Sequence, residues 1–161
     1  MSDKEKKYNP DDNAGVIAFP PFIYIGFLIA GFLLGLFIPL EAFNGLLSFV
    51  LGASFTLLGF FFVISAFRLF KKKGTNIPPT LPATVIVSTG LYKVTRNPMY
   101  LGMMLIYLGV GVYMNSLWIL ILSVPLFIVI NKGVVDREES YLENKFGKTY
   151  LDYKSSVRRW L

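Results

Sequence analysis

The 161-residue chain contains no cysteine and no histidine. Without cysteine there is no disulfide framework, no thiolate nucleophile and no cysteine-held zinc or iron–sulfur site, and the redox compartment leaves no trace. Without histidine there is no imidazole base, no Ser-His or Cys-His triad, no imidazole-ligated zinc or haem, and no HExxH helix. No metal site is expected. Charge is also scarce: 16% of residues are Asp, Glu, Lys or Arg, against roughly 25% in soluble domains. Any chemistry therefore falls to carboxylates, Tyr, Arg, Lys, backbone groups and a bound cofactor.

Apolar residues are what the chain has in quantity, 54% even before its 14 glycines are counted. The charges gather in blocks separated by long apolar runs, which is the pattern of a membrane protein. Residues 1–13 are polar, mixed in charge and without helical periodicity, and read as a mobile cytoplasmic tail. Residues 14–40 carry no charge, enough to cross a hydrocarbon core of roughly 30 Å at 1.5 Å per residue. Pro20 and Pro21 place the start of regular helix there. A signal peptide is the weaker reading, because the run exceeds a signal core and more spans follow.

A link at residues 41–44 leads to a second uncharged run, 45–67, so the first two spans form a hairpin. Residues 68–98 hold Arg68, Lys71, Lys72, Lys73, Lys93 and Arg96 with no acid, together with Pro78, Pro79 and Pro82. They read as an extramembrane loop. Residues 99–114 and 116–130 are shorter apolar segments parted by Asn115, a second and tighter hairpin. From Asn131 onward the chain is polar and aromatic, with helix expected to break at Gly147 and resume near Lys148.

The expected fold is thus an all-α integral membrane protein. Four membrane-crossing segments lie in two hairpins, with a cytoplasmic C-terminal helical region, all in one domain: tail 1–13, hairpin 14–67, and 68–161 carrying the loop, the second hairpin and the candidate site. All 16 Lys and Arg residues fall in the tail, the long loop and the C-terminal region, and none in the hairpin tips. The positive-inside rule then puts both termini in the cytoplasm. The net charge of +6 needs no nucleic acid to explain it, since the basic residues flank spans and form no recognition face.

Gly45, Gly52 and Gly59 recur every seventh position with Ala66 continuing the stripe, and Gly31 and Gly35 form a G-x-x-x-G. Both devices let helix backbones approach closely, within one bundle or between copies, so oligomeric state stays open. Gly102, Gly109 and Gly111 accompany Tyr100, Tyr107 and Tyr113, which reads either as packing or as a ligand wall.

Two polar clusters remain. Residues 89–102 run from the basic loop into the third span, where Pro98 suits a helix N-terminus and the neighbouring Arg96 adds attraction for an anion. Asp136-Arg137-Glu138-Glu139 follows the fourth span and leads into Tyr141, Phe146, Tyr150 and Tyr153. Separately, each cluster reads as a membrane-boundary anchor or a solvated helix end. Folding the second hairpin brings them together, and an Arg, two Glu, an Asn and several Tyr suit a ligand with a carboxylate, hydroxyls and an aromatic base. Phe146, Tyr150, Tyr153 and Trp160 either seal this pocket or lie on the membrane surface.

The run G-L-Y-x-x-x-R-N-P-M-Y-x-G, then R-E-E-x-x-L-x-x-x-F-G-x-x-Y-x-x-Y and a closing R-R-W, resembles the membrane methyltransferases related to isoprenylcysteine carboxyl methyltransferase. The likeness spans roughly residues 90–161. It implies S-adenosylmethionine as cofactor, held by the C-terminal membrane helices and reached from the cytoplasm. It implies Arg96, Asn97, Pro98, Tyr100, Gly102 and Glu139 as cofactor-binding residues, with Glu138, Arg137 and Tyr92 as the catalytic group nearer the acceptor. Arg96-Asn97-Pro98 stands where those relatives commonly have R-H-P, while N-P-M-Y is similar to the phosphatidylethanolamine N-methyltransferase branch. The implied acceptor is accordingly a lipophilic carboxylate or a lipid amine, met in the bilayer.

Methyl transfer from a sulfonium is an in-line displacement that depends on positioning more than on an acid–base pair, so the missing histidine is no obstacle. A carboxylate acceptor is already ionised near neutrality, whereas a protonated amine must first lose a proton, for which Glu138 or Glu139 would serve. Two other readings compete: an NADPH-dependent reductase similar to the sterol reductases, which needs basic contacts for a 2′-phosphate, and a non-catalytic membrane protein.

Overall fold

The computed structural model describes residues 12–41 and 45–161. Most of the expected tail and residues 42–44 of the first hairpin tip lie outside the described residues. Among the described residues the fold is all-helical. The order is α1 (Pro20–Phe37), α2 (Gly45–Lys73), a 3₁₀ turn (Gly90–Lys93), α3 (Pro98–Tyr113), α4 (Leu117–Ile130), a π turn (Asn131–Val135), α5 (Asp136–Phe146) and α6 (Lys148–Ser156).

Local chemistry explains most of these boundaries. Pro20 opens α1 and Pro98 opens α3, in the first turn where a missing N–H costs nothing. Asn115 takes the left-handed conformation at φ 52°, and Ser116 caps α4 by accepting the Ile119 N–H. Gly147, at φ 54°, parts α5 from α6, at the expected break. Asp12 and Asn13, read from sequence as the end of the tail, lie against the protein, with Asp12 bonded to Lys145 and Tyr141.

Three helices are long and apolar enough to cross a membrane: α1, α2, and the continuous helix Leu117–Phe146 made of α4, the π turn and α5. The last apolar segment and the C-terminal region expected after it are thus one continuous helix as far as Phe146. No proline or helix-ending glycine conformation interrupts residues 130–136, so the chain passes through the π turn without a loop. The 16-residue α3 is shorter, about 24 Å at 1.5 Å per residue.

Helices α2 and α3 form the most extensive contact in the bundle, and glycine makes it possible. A Cβ on Gly59 would stand 2.6 Å from the Gly102 carbonyl oxygen, and one on Gly52 would stand 2.6 Å from the Tyr113 nitrogen. Gly31 of α1 meets Ile119 of α4 in the same way, at 2.8 Å. Lipid tails give helices no hydrophobic reason to associate, so close backbone approach and dispersion must hold them. Two side chains add hydrogen bonds: Ser48 donates to the Val112 carbonyl at 3.0 Å and Tyr24 to the Tyr100 carbonyl at 3.0 Å. The core gathers Tyr107, Ile119, Leu126, Ile130, Val134 and Val135, while Phe22, Leu46, Leu57 and Phe61 project outward, as lipid-facing residues do.

Candidate active site

The C-terminal end of α2, the 3₁₀ turn, the start of α3 and the helix α5 converge on a cavity. Phe70, Val87, Met99 and Leu142 supply apolar walls, and Tyr92, Arg96, Asn97, Tyr100, Glu138 and Glu139 bring polar groups to it. The π turn shapes this arrangement. One extra residue in a helical turn rotates everything beyond it by about 100°, and both Glu138 and Glu139 line the cavity.

These two adjacent carboxylates have opposite surroundings. Glu139 is 4% exposed and saturated by cations. Arg96 donates to its Oε1 from Nε at 3.1 Å and from Nη2 at 2.8 Å. Arg159 donates from Nε to Oε1 at 3.1 Å and from Nη2 to Oε2 at 2.7 Å, and Lys154 lies 3.7 Å away. Paired and fully bonded in this way, a buried charge is tolerated. The remaining nitrogen of Arg96, Nη1, donates to the carbonyls of Lys154 and Val157 at 3.0 and 2.7 Å.

The clamp fastens the end of the chain to the start of α3. The Arg96 N–H donates to the Arg158 carbonyl at 3.0 Å. Thr95 Oγ1 and Asn97 Nδ2 both donate to the Arg159 carbonyl, at 2.9 and 3.0 Å. Arg159 also bonds Asp136 at 2.7 Å, and the Trp160 indole donates to Asn131 at 3.3 Å. Arg159 had no role in the sequence reading beyond membership of the closing R-R-W. No local signal marks it, because its partners lie 20 or more residues away.

Glu138, by contrast, forms no ion pair among those of the described residues. Its Oε1 accepts the Tyr100 hydroxyl at 2.5 Å, which leaves acceptor capacity facing the cavity. The phenols outside the spans stay protonated near neutrality: burial pushes Tyr92 well above its usual range, with the Glu138 charge adding to it, and burial pushes Tyr153 up to about 12. Tyr153 donates to the Tyr92 carbonyl at 2.7 Å. Tyr92 and Tyr153 therefore act as donors and walls, not as bases.

Of the residues singled out from sequence, Tyr92, Arg96, Asn97, Tyr100, Glu138 and Glu139 meet at the cavity. Three do not reach it. Gly102 packs against Gly59 and Phe62 of α2, Pro98 is buried as the first residue of α3, and the exposed Arg137 donates to the Gly15 carbonyl at 2.7 Å. The suspected wall of three tyrosines also divides: Tyr100 lines the cavity, Tyr107 packs on Tyr24 in the core, and the exposed Tyr113 packs on Phe49. Tyr150 and Tyr153 line the cavity too, whereas Trp160 stacks on Phe127. The cavity-lining part of the loop, Thr75 to Val87, escaped the sequence reading, and its three prolines were the available sign of an ordered segment.

A helical membrane bundle with such a cavity at one end, mostly apolar with a few converging polar groups, defines a class of membrane-embedded proteins with a small-molecule site. Within that class, the phospholipid methyltransferase family profile matches residues 47–149, and the chain belongs to that family. The match takes in most of α2, residues 89–102 and Asp136 to Glu139, and ends before Tyr150, Tyr153 and the closing R-R-W. A Haemophilus influenzae protein described as "Uncharacterized protein" is 52% identical over 66 residues, which is 39% of this chain and all of the relative. No solved structure matches. Family membership makes this an integral membrane methyltransferase acting on lipid-like substrates.

Proposed function

We propose that the protein transfers a methyl group from S-adenosylmethionine to a lipophilic acceptor, the carboxylate or amine of an isoprenoid or lipid. The observation that carries this reading is the cavity itself. A mostly apolar enclosure is bounded at one point by a carboxylate that no cation neutralises, beside the first turn of α3.

The residues present suit such a cofactor. Glu138 offers lone pairs to hydroxyls, Tyr92 and Tyr153 offer aromatic faces, and the first N–H groups of α3 lack helical partners and suit a carboxylate. Bound there, S-adenosylmethionine supplies an activated methyl group. Tyr100 orients Glu138 through its hydroxyl. Glu138 holds the proton that an ammonium acceptor must release, and no such transfer is needed for a carboxylate acceptor. Arg96 and Arg159 fix Glu139, so in this reading Glu139 acts on the cofactor by holding the wall in place. The reductase alternative lacks support, because Arg96 is the one Lys or Arg lining the cavity among the described residues and it is committed to Glu139.

The proposal includes a topology in which α3 crosses with the other three helices, giving four crossings in two hairpins. The cavity, the basic loop and both termini then face the cytoplasm. A short α3 fits if the bilayer thins locally or flanking residues snorkel.

Calorimetric titration of detergent-purified protein with S-adenosylhomocysteine tests the reading, with NADPH and the Glu138→Gln variant alongside. Binding near micromolar, roughly 8 kcal/mol, that weakens in the variant supports it. Absence of S-adenosylhomocysteine binding refutes it, after which NADPH binding would favour a reductase and no binding of either a non-catalytic membrane protein.

A further inference from the structure

The floor and the cover of the cavity are bonded by different means. The floor is the buried clamp, in which the Arg96 and Glu139 side chains are 9% and 5% exposed. The cover has no regular helix. It consists of residues 12–19, a strap leading into α1, and loop residues 74–89 between α2 and the 3₁₀ turn.

One side chain joins both covering segments. The Tyr141 hydroxyl accepts the Ala83 N–H of the loop at 3.1 Å and donates to Asp12 Oδ1 of the strap at 2.6 Å. Lys145 reinforces it, donating to the two Asp12 oxygens at 2.6 and 2.5 Å and to the Tyr141 hydroxyl at 2.8 Å. Strap and loop also bond directly, the Ala14 N–H donating to the Pro79 carbonyl at 3.1 Å. Ala14, Pro79, Ala83 and Tyr141 all line the cavity.

The other end of the strap is fixed more firmly. The Ile17 N–H donates to the Gly133 carbonyl at 3.2 Å, and the Ile17 side chain fills the place where a Gly133 Cβ would stand, 2.4 Å from its Cδ1. The strap is thus anchored at the π turn and fastened at Asp12 by side chains that are 25% and 34% exposed. Part-exposed pairs of this kind contribute little. Arg137 adds one hydrogen bond to the Gly15 carbonyl at 2.7 Å, and the loop buries Thr75 and Val87 near its ends, so the stretch between them and the strap open more readily than the clamp.

We propose that residues 12–16 and loop residues 76–86 form a gate over the cavity, latched by Tyr141, through which the water-soluble cofactor enters and leaves. The inference rests on the methyltransferase reading for the identity of the ligand, but the opening itself does not. Lipophilic acceptor and polar cofactor then reach the same cavity by separate routes, one from the bilayer and one from water.

Because the chain has no cysteine, Met99→Cys puts a single thiol on the cavity wall, and a water-soluble maleimide reports how often the gate opens. Tyr141→Phe keeps the ring and removes the latch hydroxyl. Labelling of the Met99→Cys/Tyr141→Phe protein should be at least about fivefold faster than that of Met99→Cys alone, since that factor corresponds to one ordinary net hydrogen bond and the hydroxyl makes three. Leu142→Cys, on a second wall, repeats the measurement if Met99→Cys fails to fold. In stopped-flow binding, Tyr141→Phe should raise the association and dissociation rates of S-adenosylhomocysteine together, with Kd changed less than about twofold if the latch acts on access alone. Equal labelling rates with and without the Tyr141 hydroxyl overturn the gate, even if the cofactor binds. Faster labelling with no S-adenosylhomocysteine binding in the wild type keeps the gate and removes the methyltransferase reading.

Discussion

The body of α3 and its start are held by opposite devices. From Gly102 to Tyr113 the helix lies against α2 with almost nothing between the backbones, glycine to carbonyl. Toward Pro98 it is held by charges, through Arg96, Glu139 and Arg159. In the proposed topology the difference follows from the solvent each part meets. Inside the hydrocarbon an apolar side chain gains nothing by leaving lipid, so shape and close contact decide the packing. At the boundary a charge can be desolvated only if it is fully paired, and pairing in turn fixes three remote segments in one arrangement.

The charged start should break most completely. Glu139→Ala leaves the buried Arg96 and the part-exposed Arg159 without their shared carboxylate, and should destabilise the protein by about 3 kcal/mol, read as a lowered thermal transition in detergent. Replacing Arg96 and Glu139 together by Met and Leu should cost less than Glu139→Ala alone, since the part-exposed Arg159 keeps Asp136 as a partner and no buried charge is left unpaired. A double variant worse than the single one would show that the pair does more than neutralise itself.

The glycine-packed body should respond to size. Gly59→Val forces α2 from α3 and should cost about 1–3 kcal/mol, whereas Gly26→Ala, with nothing within 4 Å of the added carbon, should stay within about 0.5 kcal/mol. Equal losses at the two positions would mean that the close approach of α2 and α3 is not what holds them.

Adjacent to the clamp, Glu138→Gln separates function from stability. It keeps a hydrogen-bonding partner for Tyr100 and should change unfolding by no more than about 1 kcal/mol. Methyl transfer to an amine acceptor should fall by about 100-fold or more, measured with labelled S-adenosylmethionine and a lipid extract. Transfer retained with a carboxylate acceptor alone would identify the acceptor class.

The smallest expected effect is at the latch. The hydrogen bond from Lys145, helped by that from Tyr141, holds the Asp12 carboxyl below its ordinary range. A depressed carboxyl contributes its stabilisation above its unfolded value and loses it as pH falls through the folded one. Protection of the Ala14 amide from hydrogen exchange, corrected for intrinsic rate, should therefore be flat down to about pH 4 and decline below it. Protection lost between pH 5 and 7 would mean that another group controls the latch.

The distribution of charge along the chain determined the helical membrane bundle, the start of α1 at Pro20, the turn at Asn115 and the break at Gly147, because these are local consequences of hydropathy, proline and glycine. It also put Arg96, Tyr100 and Glu138 at one end of the bundle, through the hairpin. What adjacent sequence gave no means of telling was which of two neighbouring glutamates is free. Glu138 and Glu139 have the same chemistry and the same local surroundings, and only the arrival of Arg96 and Arg159 from distant segments neutralises one and leaves the other facing the cavity. Gly102 and Arg137 were read as site residues for the same reason: a motif records which residues occur together, while the direction each points depends on helix phase and on the partner across the interface. The π turn sets that phase and the tertiary fold supplies the partners, so the assignment of roles within the motif belongs to the structure.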